Sequence, residues 1–128
     1  MKIQDYYQNN IIDISFKAGK SSNSMHTSLR VKNSSGKTIH AAKADIAVED
    51  LLLIAKWFRD LSESPSALSF PELGLTLSFS HFEKGELYYT LQTGAITNRC
   101  WEQIGGSEIH RAQTLEKEIA LSRWNFFR

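Results

Sequence analysis

The stretch Ala47–Leu61, AVEDLLLIAKWFRDL, constrains the fold more than any other part of the chain. Val48, Leu51, Leu52, Ala55, Phe58 and Leu61 recur at spacings of three and four, so at about 3.6 residues per turn they form one apolar stripe on a helix. Glu49 and Asp50 fall in the first turn and Lys56 and Arg59 towards the last, each sign suiting its end of the helix dipole. Ser62-Glu63-Ser64-Pro65 ends the element, because Pro65 lacks an N–H and restricts Ser64. Burial of Leu51, Leu52 and Phe58 is worth about 1.5–3 kcal/mol each. Such a stripe needs a sheet to lie on. Leu53, Ile54 and Trp57 widen the apolar surface, which predicts cover on more than one side, with Trp57 in the core or at its edge.

Strand signals flank this helix. Residues 1–10 read as a loose lead-in. In Ile11–Ala18, Ile12, Ile14 and Phe16 alternate with Asp13, Ser15 and Lys17. Met25–Asn33 repeats the pattern, with Met25, Thr27, Leu29 and Val31 inward and His26, Ser28, Arg30 and Lys32 outward. Thr38–Ile46 makes a third, alanine-rich strand, and Gly19–Ser24 and Asn33–Gly36 supply the turns. After Pro65, Ala67–Phe70 reads as a short edge strand and Leu73–Phe82 as the clearest strand, with Leu73, Leu75, Leu77 and Phe79 on one face. Glu83-Lys84-Gly85-Glu86 offers a hairpin glycine, and Leu87–Thr93 and Ala95–Ile104 follow as strands. Ser107–Arg123 predicts a final helix on the stripe Ile109, Ala112, Leu115 and Ile119. No internal repeat is visible. The expectation is a single α+β domain spanning 1–128. It has mostly antiparallel sheet, a central helix at about 47–61 between two strand groups, and a C-terminal helix at about 107–123.

The apolar content of 41% and charged content of 23% are ordinary for a globular protein. The polar opening MKIQDYYQNN lacks the apolar run of a signal peptide, and no segment approaches a membrane span. Cys100 is the only cysteine, which excludes an internal disulfide. These features predict a cytoplasmic location. Cys100 itself is expected to be a buried, inert thiol. Charge is distributed unevenly. No acid occurs between Asp13 and Asp45, an interval that holds Lys17, Lys20, Arg30, Lys32, Lys37, Lys43, His26 and His40. The interval Asp45–Glu86 carries eight acids against Lys56, Arg59 and Lys84. A molecule with a basic and an acidic side is expected, and such a dipole steers charged partners.

The sequence offers little for catalysis. His26, His40, His81 and His110 lie nowhere near one another in sequence, and no Cys/His or His/carboxylate spacing suits a metal. There is no phosphate loop, dinucleotide fingerprint or nucleophile elbow. His81 falls on the inward parity of its strand and reads as a hydrogen-bonded structural residue; Glu72 beside Pro71 reads as surface or cap. Neither a catalytic residue, a metal ligand nor a cofactor is expected.

In order along the chain, the helix carries Asp50-Leu51 and Trp57-Phe58, and Phe70-Pro71-Glu72-Leu73 then leads into Leu75-Thr76-Leu77-Ser78-Phe79. This order resembles the WapI-type bacterial immunity family, in which a strand group runs into a helix of this kind, followed by such a strand and a terminal helix. The match spans most of the chain. The aromatic tail Trp124–Arg128 and the basic N-terminal strands depart from the pattern. The resemblance implies a non-catalytic protein that binds and neutralises a co-produced toxin. No functional residue carries over, because such families recognise their toxins through variable surfaces. Two contact pools follow from charge. Glu49, Asp50, Asp60, Glu63, Glu72, Glu83 and Glu86 would meet a basic toxin cleft, whereas His26, Arg30, Lys32 and Lys43 would meet an acidic surface. The alternatives are a nucleic-acid module using Arg30 and Lys32, which lacks interleaved aromatics, and a small-ligand pocket near Trp57, Tyr89 and Trp101. The tail is expected to pack back, and both a monomer and a homodimer fit the sequence.

Overall fold

The computed structural model describes residues 1–5, 7–60, 67–103 and 107–126, and for 80–82, 107–109 and 122–126 the backbone alone. Two four-stranded antiparallel meanders are each followed by a helix. The first sheet has β1 (Lys2–Gln4), β2 (Ile11–Ala18), β3 (Ser24–Lys32) and β4 (Thr38–Ala47), and leads directly into α1 (Val48–Arg59). The second has β5 (Leu68–Phe70), β6 (Leu75–Glu83), β7 (Glu86–Thr93) and β8 (Ile96–Gln103), and leads into α2 (Ser107–Phe126). The chain is thus α+β, with a central and a C-terminal helix. The architecture repeats although the sequence shows no repeat, because a meander followed by a helix needs only alternation, turn residues and one apolar stripe.

The alternation seen in the sequence sets the inner faces. Ile12, Ile14, Met25, Thr27, Leu29 and Val31 are buried, as are Leu75, Leu77, Leu87, Tyr89 and Leu91. The residues between them face solvent. The inner faces of both sheets and both helices share one cluster of buried apolar residues. Gly85 takes a φ of 76° in the β6–β7 turn, the left-handed conformation that the hairpin requires. A register shift between Phe79 and His81 pairs the His81 backbone with Tyr88; the His81 side chain, expected on the inward parity, lies outside the described residues.

Four further expectations change. Residues 1–10 are not a loose lead-in: β1 pairs with β2, and Met1, Ile3, Asp5 and Asn10 are buried. The Met1 amino group donates to the Ile14 carbonyl and to Glu118 of α2, which holds β1 beneath that helix. Leu73 is buried but belongs to a 3-10 turn, Pro71–Leu73, rather than to β6. The second helix continues beyond Arg123 to Phe126, so Trp124, Asn125 and Phe126 are helical. Leu52 lies off the buried face of α1: Val48, Leu51, Ile54, Ala55, Trp57 and Phe58 are buried, while Leu52 and Leu53 are 41% and 43% exposed. The cause is tertiary. Trp57 and Phe58 meet Tyr89 of β7 edge-to-face, with ring centroids 5.6 Å apart in each pair, and this cluster turns the helix towards the second sheet. Asp60 closes α1, its N–H donating to the Lys56 carbonyl, and Leu61 lies outside the described residues.

The sheets meet at one end. His40, near the start of β4, is hydrogen-bonded through Nε2 to the Leu73 carbonyl at 3.2 Å. Asn10, just before β2, donates to Asn98 of β8 at 3.3 Å. The Arg99 N–H donates to Asp5 at the end of β1, also at 3.3 Å. The last two contacts bring the free edge of β1 beside the free edge of β8.

Candidate functional site

The outer face of the first sheet assembles the basic residues. Antiparallel register aligns Lys2 with Asp13 and Asp13 with Arg30, Ile11 with Lys32, Ser15 with Ser28, and Ser28 with Lys43. Directly opposed residues share a face, so these side chains form one solvent-facing surface. Twist makes part of it concave: Lys2, Ile11, Asp13, Ser28, Arg30 and Lys32 line a depression of about 480 Å³. Three cations there surround one carboxylate, beside an Ile11 that is 43% exposed. Of the basic residues expected to act together, Arg30 and Lys32 lie in this depression and Lys43 is one strand away. His26 stands at the far end of the face, bonded to Asp45 at 3.3 Å, with Lys20 3.9 Å from the same carboxylate. Lys2, Ile11 and Asp13 were not picked out in sequence; the strand β1 that carries Lys2 is only three residues long.

The acids are spread over several elements. Glu49 and Asp50 occupy the first turn of α1 and Asp60 its far end, about 16 Å away at 1.5 Å per residue. Asp60 is paired with Lys56. Glu72 is exposed on the 3-10 turn, and Glu83 and Glu86 face each other across the β6–β7 turn, where Glu86 accepts from the Tyr88 hydroxyl. Glu63 lies outside the described residues.

A buried polar network lies behind the β8 edge. Glu102 is 3% exposed and accepts hydrogen bonds from the Tyr89 hydroxyl at 2.7 Å and from Arg111 of α2. Arg111 also donates to the Lys2 carbonyl. Burial, together with the neighbouring Cys100 and Glu102 charges, holds the Tyr89 hydroxyl well above its ordinary value. Burial opposes the charge on Arg111, but Tyr89 and Glu102 outweigh it and raise that guanidinium. Burial, aided by Asp5, pushes the Cys100 thiol up to about 12. The thiol therefore stays protonated and is not nucleophilic near neutrality, as expected for a packed cysteine. Among the described residues, no group of three or more His, Cys, Asp or Glu side chains is placed to hold a metal ion.

The pocket expected near Trp57, Tyr89 and Trp101 does not form. Trp57 and Tyr89 pack against each other in the core, whereas Trp101 is 41% exposed on the outer face of β8, opposite Cys100. Instead Trp101 flanks a cleft of about 340 Å³ with Ile3, Gln4, Asp5, Asn9 and Arg111, between the β1 and β8 edges. Beside it, Arg99 lies over the Tyr7 ring, 5.3 Å from its centroid. None of the described helices is long and apolar enough to cross a membrane. Against family descriptions, curated proteins and solved structures, the chain finds no match.

Proposed function

We propose that this protein is a non-catalytic, cytoplasmic immunity protein that binds a co-produced toxin and blocks its action. It engages an acidic surface of that toxin through the outer face of the first sheet. The supporting observation is the convergence of Lys2, Arg30 and Lys32 around Asp13 and the exposed Ile11 in one concavity, while the acids are dispersed. A basic concavity with one exposed apolar residue, Ile11, beside it suits an acidic protein surface. The resemblance carried by Asp50-Leu51, Trp57-Phe58 and Phe70–Phe79 supports the same reading.

A single-stranded nucleic acid fits this face less well. Asp13 stands among the cations, and the described residues of the face include no Phe, Tyr or Trp on which bases would stack. Co-expression with the toxin encoded beside the gene tests the proposal. The wild-type chain should protect cells and co-purify with the toxin. The double variant R30E/K32E should fold normally, since both residues are exposed, and lose at least about tenfold in affinity per residue. Unchanged affinity of that variant refutes the basic-face contact. Failure of the wild type to protect or co-purify removes the immunity reading, and salt-sensitive binding to single-stranded probes would replace it with the nucleic-acid reading.

A further inference from the structure

Among the described strands β4 has the longest free edge, and the ladder shows which groups that edge presents. The Val48 N–H donates to the Asn23 carbonyl at the end of the β3–β4 pair. In an antiparallel ladder, residues bonded to the neighbouring strand alternate with residues whose main-chain groups point the other way. Ala42, Ala44 and Ile46 therefore bond to β3, opposite Leu29, Thr27 and Met25. Ala41, Lys43, Asp45 and Ala47 direct their N–H and C=O groups to the free edge. The same alternation carried through β3 and β2 turns Ile14 towards β1, where Met1 does exchange bonds with it. Among the described residues, these four positions have no main-chain partner at that edge. The edge is open to solvent. Ala41, Lys43 and Asp45 are exposed, and Ala42 and Ala44 are only partly buried despite their inner parity, whereas Leu29 and Thr27 opposite them are 0% exposed. The opening ends where His40 bonds to the Leu73 carbonyl and where Val48 begins α1, so it covers residues 41–47.

This stretch is complementary to itself. Laid antiparallel to a second copy about a two-fold axis through Ala44, it opposes Ala41 to Ala47, Lys43 to Asp45 and Ala44 to Ala44. Free main-chain groups then meet free groups throughout, and about eight hydrogen bonds form. The side chains agree with this register. Lys43 and Asp45 share the outer face, opposite Ser28 and His26 of β3, so each Lys43 meets the other copy's Asp45 directly, twice by symmetry. Within one chain Asp45 lies 3.3 Å from His26 and 3.9 Å from Lys20. Other registers fail. A shift of one residue turns free groups against bonded ones, and a shift of two opposes Lys43 to Lys43 or Asp45 to Asp45. A lysine on a free edge ordinarily repels a second strand; here the aspartate two residues on makes it the contact that sets the register. Ala44 puts only methyl groups at the axis. We infer that β4 pairs with β4 of a second copy of this chain, joining the two first sheets into one continuous sheet. Both outer faces then lie on the same side of it. This goes beyond the toxin reading and does not rest on it.

Sedimentation equilibrium of the full chain, from micromolar to millimolar concentration, tests the pairing. The average mass should rise from 14.6 kDa towards twice that value. Lys43→Asp sets like charges opposite each other at both symmetric sites and should weaken association at least about tenfold. The swap Lys43→Asp/Asp45→Lys restores opposite charges and should regain most of it. Ala44→Cys places two thiols at a non-hydrogen-bonded pair, with Cα atoms about 4.5 Å apart, close enough for a disulfide. Mild oxidation should therefore link that variant into dimers, whereas Ala42→Cys, opposite Ile46 of the other copy, should stay unlinked. Circular dichroism checks that each variant folds, and the charge variants alter only exposed residues. Five results each overturn the inference: a monomer at millimolar concentration; a dimer indifferent to Lys43→Asp, or one that the swap fails to restore; equal cross-linking of the two cysteine variants; a dimer dispersed by Leu52→Glu instead, which assigns the contact to the exposed Leu52 and Leu53 of α1; and Ala41, Lys43 and Asp45 amides that become protected from hydrogen exchange only when the toxin is added, which assigns the edge to a toxin strand. A toxin that fails to bind would remove the immunity reading while leaving the self-association outcomes intact.

Discussion

The substitution Glu102→Leu probes the network that ties β8 to α2 and β1. Glu102 is 3% exposed, and it satisfies both the Tyr89 hydroxyl and the Arg111 guanidinium. Its removal strands a buried hydroxyl and leaves a cation whose side chain is only 22% exposed. Loss of one partner from a buried pair costs about 3–5 kcal/mol. Arg111 keeps the Lys2 carbonyl and some contact with water, so the lower end, about 3 kcal/mol, applies. For 128 residues at about 2.1 cal/mol/K each, the unfolding entropy is about 0.27 kcal/mol/K, which makes this a drop of about 11 °C in Tm. Urea unfolding followed by Trp fluorescence gives the free energy directly, since Trp57 is buried. The double variant Glu102→Leu/Arg111→Met removes both charges and should recover most of the loss. About 1 kcal/mol should persist for the Tyr89 hydroxyl and the lost tether to Lys2. A single-variant cost below about 1 kcal/mol, or a double variant as unstable as the sum of the two singles, refutes the account of a mutually compensating buried pair.

Alkaline pH should unfold the protein through Cys100. Its folded pKa of about 12 exceeds the ordinary value of 9.0, so between these values the unfolded chain has released a proton that the folded chain retains. Stability therefore falls as pH rises through this window, by up to about 1.4 kcal/mol per unit, with Tyr89 adding to the slope above its ordinary 10.0. Cys100→Ala should flatten the slope that begins near pH 9, and an unchanged slope between the two proteins would show that the thiol is not the cause. At the meeting of the sheets, Gly94→Ala should destabilise by about 2–3 kcal/mol. Its φ is 60°, and an added Cβ would lie 2.9 Å from the His40 ring, disturbing the bond to Leu73. Gly85→Ala, also at positive φ but with open space around it, should cost only about 1 kcal/mol, and equal melting temperatures for the two variants would refute the steric part of the argument.

Local order was legible in the sequence wherever a single element carries its own signal. Period-two alternation in Ile11–Ala18 and Leu87–Thr93 identified strands and their inner faces, because a half-buried sheet imposes that period. Trp57 was placed in the core by its neighbours on α1. Elements at the margins were harder to read. The segment Lys2–Gln4 is too short to show a period and becomes a strand only because β2 pairs with it. Leu52 falls on the stripe as read from the sequence and Ile54 beside it, yet Ile54 is buried and Leu52 is not. The ring contacts of Trp57 and Phe58 with Tyr89 decided which of the two was buried.

The candidate surfaces divide the same way. Parity put Arg30 and Lys32 on one solvent face, and pairing with Asp13 and Ser28 then placed Lys2 and Lys43 on it. The sequence by itself determined the class of fold, the inner and outer residues of the main strands and the two helices. These follow from hydrophobic period, turn chemistry and charge at helix ends, all of which act over a few residues. Tertiary structure alone decided that β1 and β8 face each other across a cleft. The contacts that place them there join Asp5 to Arg99 and Asn10 to Asn98, 94 and 88 residues apart. At such separations the pairing is settled by the burial of both sheets around two helices, and no local pattern encodes it.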